Sequence, residues 1–185
     1  NNLKRKEVIA MAMAIIKLSA SRISSLLCYP VRTDPFLPDL VKNAIDKGRF
    51  IHLKFGFTNS QQFTRIIVLN NQTIQLTGIP DKIDYEKGIV EELKTYHSRP
   101  AMLKNIRVAT IQLLVYEFIT GLEKGKAVLF DINEGKITKE VPVNFNEELF
   151  KKLVLKAVEL DQLQKTFVSQ FNEIQKAVKG ILEGG

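Results

Sequence analysis

The stretch Asp81-Lys-Ile-Asp84-Tyr-Glu-Lys-Gly88-Ile-Val90-Glu91-Glu92-Leu93-Lys94 decides how the chain is read. Gly78 and Pro80 set a turn just ahead of it, which constrains the position of Asp81. Ile89 and Val90 supply the apolar start of a strand over Gly88 to Thr95. Side chains alternate faces along a strand, so Glu92 and Lys94 point one way while Leu93 points into the core. Glu91 points to the face opposite Glu92 and is a poor ligand candidate for that reason. With Asp81 entering from the turn, two acids and one lysine gather. Two carboxylates held together repel unless a cation joins them. Such a cluster binds a divalent metal and sets an amine beside a water or a phosphate, the layout of a phosphodiesterase. The plainer reading is a set of solvated cross-strand charges. Asp84, at the end of Lys-Ile-Asp, competes with Asp81 for the ligand position.

The 185 residues are enough for one domain with a proper core, and 45% apolar with 25% charged residues is a soluble globular composition. A net charge of +7 suits a polyanionic partner without requiring one. Cys28 is the single cysteine, which excludes an internal disulfide and any metal site built from several thiolates. That usage fits a reducing, intracellular, cytoplasmic setting. Lys4-Arg-Lys6 before the apolar run Val8 to Ile16 imitates a signal peptide, but Glu7 and Lys17 interrupt the pattern. An amphipathic first helix over residues 3 to 17 is the better expectation, and no segment is long enough to span a bilayer.

Leu18 to Cys28 reads as a fresh N-cap and a short helix stopped near Pro30. Pro35 and Pro38 mark a loop, and Pro38-Asp39 opens a helix through Asp46 that Lys47-Gly48 ends. Phe50 to Phe57 is ambiguous between helix and strand. Gln62 to Leu69 and Thr73 to Thr77 read as strands joined at Asn70-Asn71. Pro100 to Gly121 reads as a helix, and Lys126 to Ile132 and Lys136 to Val143 as strands about the turn Asn133-Glu-Gly135. Asn146 caps a final helix with an acidic first turn. Its seam Leu153, Ala157, Leu160, Gln164, Phe167, Phe171, Ile174, Val178, Ile181 has heptad spacing. That seam suits packing back on the domain, or a homodimer whose register Gln164 fixes.

Several of these elements, in order, resemble the RecB-like and Cas4-like branch of the PD-(D/E)XK nuclease superfamily. Ser19-Ala-Ser21-Arg22 with Cys28-Tyr-Pro30 is similar to the family's Ser-x-Ser and Cys-Pro element. Gly48-Arg-Phe-Ile-His52 resembles its Gly-x-x-x-His motif, Gly78-Ile-Pro-Asp81 its Asp motif and Glu92-Leu-Lys94 its Glu-x-Lys motif. Gln112-Leu-Leu-Val-Tyr116 resembles Gln-x-x-x-Tyr, and its two polar residues share one helix face. The Gly-x-Pro-Asp likeness favours Asp81 over Asp84. The chain departs from Cas4-like enzymes in having no cysteine after Cys28, so no iron–sulfur cluster is expected and Cys28 is expected as a small buried apolar residue.

The resemblance implies an α/β fold of restriction-endonuclease type, with a central mixed sheet flanked by helices and a long C-terminal helix. It divides a single nuclease domain into an N-terminal helical part at 1–47, a catalytic core at 48–143 and the terminal helix at 146–183. It implies a metal-dependent DNA nuclease using Mg²⁺ or Mn²⁺, held by Asp81, Glu92, the carbonyl of Leu93 and His52, with Lys94, Gln112 and Tyr116 completing the catalytic set. Glu7 is a candidate outer carboxylate. The DNA is single-stranded, duplex or branched, and Arg22, Arg32, Arg49, Lys54, Arg99, Lys104 and Arg107 are the candidate contacts. The alternatives are a dimeric Holliday-junction resolvase and a catalytically silent DNA-binding module. Small nucleases of this kind suggest an archaeal or archaeal-viral origin.

Overall fold

The computed structural model of the chain describes residues 15–28 and 48–183. In chain order these form β1 (Ile16–Ser19), α1 (Ala20–Cys28), α2 (residues 48–54), β2 (Phe63–Leu69), β3 (Gln72–Gly78), β4 (Lys82–Asp84) and β5 (Ile89–Tyr96). Then come α3 (Arg99–Thr120), β6 (Lys124–Asp131), β7 (Lys136–Asn144) and α4 (Glu147–Glu183). The fold is α/β, with helices flanking mixed sheets and a long helix at the C-terminal end.

The strands form two sheets where the sequence suggested one. One has the order β1-β3-β2 and the other β4-β5-β6-β7. The break falls at Ile79-Pro80-Asp81, where the proline turn carries the chain from the end of β3 to β4. In the second sheet β5 and β6 run parallel, Glu92 lying opposite Ala127, and the other pairs are antiparallel. A parallel pair needs a crossover, and α3 supplies it. Ser98 caps α3 by accepting from the Ala101 N–H, Pro100 sits in its first turn, and Gly121 at φ 78 closes it by donating to the Glu117 carbonyl. The β2–β3 hairpin turns on Asn70 and Asn71, with φ of 48 and 60, the pair of positive values that a two-residue turn matched to strand twist demands.

The main core lies between α1, α3, the first half of α4 and one face of the strands, with Ile23, Leu76, Val90, Leu113, Phe150 and Val154 among its buried members. A smaller core of Ile51, Phe57, Leu93, Val128 and Phe130 lies on the other face, with α2 contributing Ile51. Strand β5 serves both: Val90 faces the first and Leu93 the second. Glu92 shares the parity of Val90, so it is buried on the α3 side rather than displayed to solvent.

Several expectations meet corrections. Residues 16 and 17 do not end a helix; Ile16–Ser19 is a strand paired in parallel with Ile74–Thr77 of β3. Strand pairing supplies the main-chain hydrogen bonds of that segment, and it overrides the helical pattern read from its apolar run. Residues 3–14, the Pro35 and Pro38 loop, the helix through Asp46, Glu7 and Arg32 lie outside the described residues. The ambiguous segment after Gly48 is helical through residue 54 and turns at Gly56, φ 73. Ser19 caps α1 as expected, accepting from the Arg22 N–H at 3.0 Å. Cys28, expected buried, is only half-buried at the end of α1.

Asn146 caps α4 by accepting from the Leu149 N–H at 2.8 Å. The face of α4 that packs is Phe150, Val154, Ala157, Val158 and Asp161, turned from the expected seam so that Leu153 and Leu160 sit at its margin, half-buried. Arg22, a candidate DNA contact, anchors this helix. Its Nε and Nη2 donate to Asp161 Oδ1 at 2.9 and 2.7 Å, and Nη2 also donates to Gln164 Oε1 at 2.5 Å. Burial alone would raise the Asp161 carboxyl, but Lys165 and Arg22 outweigh it and hold the group below the usual aspartate range. An Arg22→Ala chain is expected to lose roughly 1–2 kcal/mol in urea denaturation, since a buried carboxylate loses its two-pronged partner. Its DNA affinity, measured by fluorescence anisotropy, should stay within about twofold of the parent; a larger loss returns Arg22 to the DNA surface. Among the described residues no helix is long and apolar enough to cross a membrane.

Candidate active site

Asp81 follows Pro80 at the mouth of the β4–β5 hairpin. Its Oδ2 accepts from the Leu93 N–H at 2.9 Å, a bond across 12 residues that pins the carboxyl to β5. Asn59 braces the same turn, donating its main-chain N–H to the Asp81 carbonyl at 3.0 Å and its side-chain amide to the Pro80 carbonyl at 2.8 Å. Sequence reasoning missed Asn59, because the partners it braces, Pro80 and Asp81, lie 21 or more residues away, and its local bonds with Gln61 look like an ordinary turn.

The carboxyl groups of Asp81 and Glu92 lie within hydrogen-bonding reach of each other. Glu92 is 3% exposed, Lys94 Nζ donates to its Oε1 at 2.5 Å, and its Oε2 is buried without a partner among the described residues. Burial pushes the Glu92 carboxyl up to about 7, Lys94 opposing and the Asp81 charge adding to the rise. Burial raises Asp81 as well, with Lys94 and the Leu93 N–H pulling it back. The pair therefore shares less than two full negative charges in the absence of a cation.

His52 of α2 completes the group, its Nδ1 standing 3.5 Å from Asp81 Oδ1. Burial lowers its pKa, so the ring is neutral near pH 7 and a lone pair is free for a metal. A cleft of about 500 Å³ opens beside it, lined by Arg49, His52, Leu53, Phe57, Asn59 and Asp81. That volume is enough for part of a nucleotide.

Gln112 and Tyr116 both face inward from α3 and are 5% and 3% exposed. The Tyr116 hydroxyl is pushed well above its usual range by burial and by the Glu92 and Asp81 charges, which places it against the acid pair. Its ring lies over Gly78, where a Cβ would meet Tyr116 Cε1 at 2.6 Å, so glycine is required for the Asp81 turn to pass beneath the helix. Gln112 reaches back rather than to β5: its amide donates to Ser21 Oγ at 3.4 Å, tying α3 to α1.

The rival acids lie elsewhere. Asp84 caps its own turn, accepting from the Lys87 N–H at 3.0 Å and pairing with Lys87 Nζ at 3.0 Å; those bonds hold it below the usual range. Glu91 is buried on the opposite face of β5 between Lys82 and Lys126, as strand alternation required. Arg49, Lys54, Arg99, Lys104 and Arg107 are exposed, Arg49 at the cleft and Lys54 over the Phe55 ring at 5.7 Å. Lys104 and Arg107 stand near Cys28, whose thiol burial pushes up against their opposing charges.

Among the described residues no three His, Cys, Asp or Glu side chains close around a common point as a ready cage. The donor set still fits a hydrated divalent cation. It offers two carboxylates, one of them with an orphaned buried oxygen, and a neutral imidazole beside them. Mg²⁺ is commonly held by one or two carboxylates with water filling the remaining positions.

The sequence profile of the PD-(D/E)XK nuclease superfamily matches residues 36–182. Among solved structures, that of SSO0001 superposes with a TM-score of 0.57 at 20% identity, covering 78% of this chain and 75% of that one. A phage-related exonuclease from Haemophilus somnus 129PT gives 0.49 at 12% identity, covering 82% of each chain. The alkaline exonuclease LHK-Exo from Laribacter hongkongensis gives 0.43 at 10%, covering 88% of this chain and 94% of that one. The first of these shows a shared fold. No curated protein matches the chain.

Proposed function

The chain belongs to the PD-(D/E)XK nuclease superfamily, and from that premise we propose that it is a divalent-metal-dependent DNA nuclease of the RecB-like and Cas4-like kind. The observation that carries the reading is the Asp81–Glu92–Lys94 group, an acid pair of half-buried Asp81 and buried Glu92, with an orphaned Glu92 oxygen and the Lys94 amine at its edge. Mg²⁺ or Mn²⁺ would be held by Asp81, Glu92, the Leu93 carbonyl and His52, and the imidazole favours Mn²⁺ somewhat. Such an ion, when bound, lowers the pKa of a coordinated water and offsets charge gathering on the phosphate.

The chain's own groups do the positioning. Lys94 is half-buried with its Nζ on Glu92, placed to orient the attacking water or to meet the phosphate oxygen as charge builds. The Leu93 N–H holds the Asp81 carboxyl in one orientation, freeing its other oxygen for the metal. Tyr116 seals the group from the α3 side. Arg49 and Lys54 on α2, with Arg99, Lys104 and Arg107 on α3, supply positive charge for the DNA backbone.

Cleavage of end-labelled single-stranded, duplex and four-way-junction DNA, with Mg²⁺, Mn²⁺ or EDTA, tests the reading. Cutting should need metal and fall at least about 100-fold in Lys94→Ala, the size of effect seen when one donor aimed at the developing charge is removed. Metal-independent cutting, or a fully active variant, overturns it, and binding without cutting selects the silent module. The junction-resolvase alternative needs two active sites in one particle, and the feature that favours it is the uncovered far half of α4.

A further inference from the structure

Helix α4 outruns the domain it caps. Its 37 residues span about 55 Å, and Asp161 is the last of its described side chains to be buried. Beyond it stand Leu163, Phe167, Val168, Phe171 and Ile174, each half or more exposed, with no described residue covering them. Leu160, Gln164, Phe167, Phe171 and Ile174 repeat at alternating spacings of four and three, a narrow seam along one side of the rod. Leu163, Val168, Gln170 and Gln175 flank that seam, so no charged residue of α4 borders it from 162 to 177, and the Arg22 guanidinium meets it only at its root, on Gln164. Lys165, Glu173 and Lys176 fall on the far side.

We propose that this half of α4 is a homodimerisation surface, and that its occupant is the same stripe of a second copy of this chain. A patch that meets itself across a two-fold axis brings like against like, so charged borders would repel or demand a matched partner. Uncharged borders remove that penalty in either helix orientation. The exposed apolar side chains amount to on the order of 500 Å² per chain, so two stripes face to face reach the roughly 1,000 Å² that a specific interface needs. The stripe also leaves the domain in a fixed direction, because Arg22 grips both Asp161 and Gln164 at its root. A pair formed there would carry two active sites in a fixed relation. The inference does not depend on catalysis.

Sedimentation equilibrium and light scattering over about 1 to 100 µM read it directly. The full chain should weigh twice its 21.0 kDa, and Phe167→Glu/Phe171→Glu should weigh 21.0 kDa with an unchanged circular-dichroism spectrum. Ile174→Glu, farther along the rod and away from the core, should weaken the dimer at least tenfold on its own, which guards against a misfolded double variant. A full chain that stays monomeric throughout, or a dimer that survives both sets of substitutions, overturns the proposal. Removing residues 1–14 distinguishes the rival occupant: a monomer that dimerises only after their removal shows that the chain's own N-terminal run covers the stripe. These readouts are masses, so they stand or fall apart from the nuclease assay.

Discussion

A Glu92→Gln chain is expected to lose cleavage and gain stability. The two effects have one source. The native carboxyl is buried, its Oε2 has no partner among the described residues, and Asp81 stands against it. Its pKa is raised from 4.5 to about 7, which corresponds to on the order of 3 kcal/mol. The folded value lies above the unfolded one, so the folded state binds the extra proton. That contribution is full below about pH 4.5 and is lost as pH rises through about 7. Without metal, the parent should therefore weaken between about pH 5 and pH 8, while the glutamine variant weakens less over that range, keeping only the slope that Glu117 contributes, and is the more stable of the two at the alkaline end. Urea denaturation at several pH values measures the difference. Added Mn²⁺ should raise the parent's melting temperature and leave the variant unmoved, because a ligand that binds only the native site stabilises it. Cleavage should fall by about 1,000-fold or more when a metal carboxylate becomes an amide. A variant as pH-sensitive as the parent, or one still cutting at the parental rate, removes Glu92 from the assigned site.

The same physics bears on why the candidate site stands out in the sequence. Two acids held together, one of them buried, disfavour the apo fold, so they stand out from the ordinary pattern of apolar strands and polar turns. Glu92 and Lys94 were legible because strand alternation fixes their shared face, and Asp81 because Pro80 fixes its turn. The same alternation placed Glu91 correctly on the far side. His52 and Tyr116 were reached through family resemblance, since their partners come from across the fold: α2 to the Asp81 turn, and α3 to Gly78. Asn59 left no trace for that reason.

Arg22 shows the opposite situation, a role that the sequence left unread. An arginine in a basic chain reads as a phosphate contact, yet its guanidinium meets Asp161, 139 residues on. Pairing at that separation is invisible to any local pattern. The hairpin at Asn70-Asn71 and the caps at Ser19 and Asn146 were read correctly because their chemistry is contained within three residues. The strand at Ile16–Ser19 was not, because its hydrogen-bond partners belong to β3. In α4 the heptad spacing gave the helix but not which stripe meets the core, and the answer came from the neighbours: α4 packs on α1 and α3, with Phe150 stacked on Phe118 of α3.

Glu117 should be the second large source of pH sensitivity, and one with no part in cleavage. It lies on the buried side of α3 at 2% exposed, and neither carboxyl oxygen has a partner among the described residues. Burial raises its pKa to about 8. The chain makes room for it at Gly125 of β6, where a Cβ would stand 2.5 Å from Glu117 Oε1. The folded value again exceeds the unfolded one, so stability is full below about pH 4.5 and lost as pH rises through about 8. Glu117→Leu, close in volume and free of the charge, should be more stable than the parent by a margin that widens from about pH 5 to pH 8, reaching on the order of 3–4 kcal/mol. Gly125→Ala should destabilise the parent by about 1–3 kcal/mol through overpacking, and by less when Glu117 is first cut back to alanine. The margins from Glu92→Gln and Glu117→Leu should add, since the two acids share no partner. Metal-dependent cleavage should remain at the parental level in Glu117→Leu. A variant less stable than the parent at about pH 8 would mean that the carboxylate is held there by a cation, and Glu117 would then join the list of paired acids.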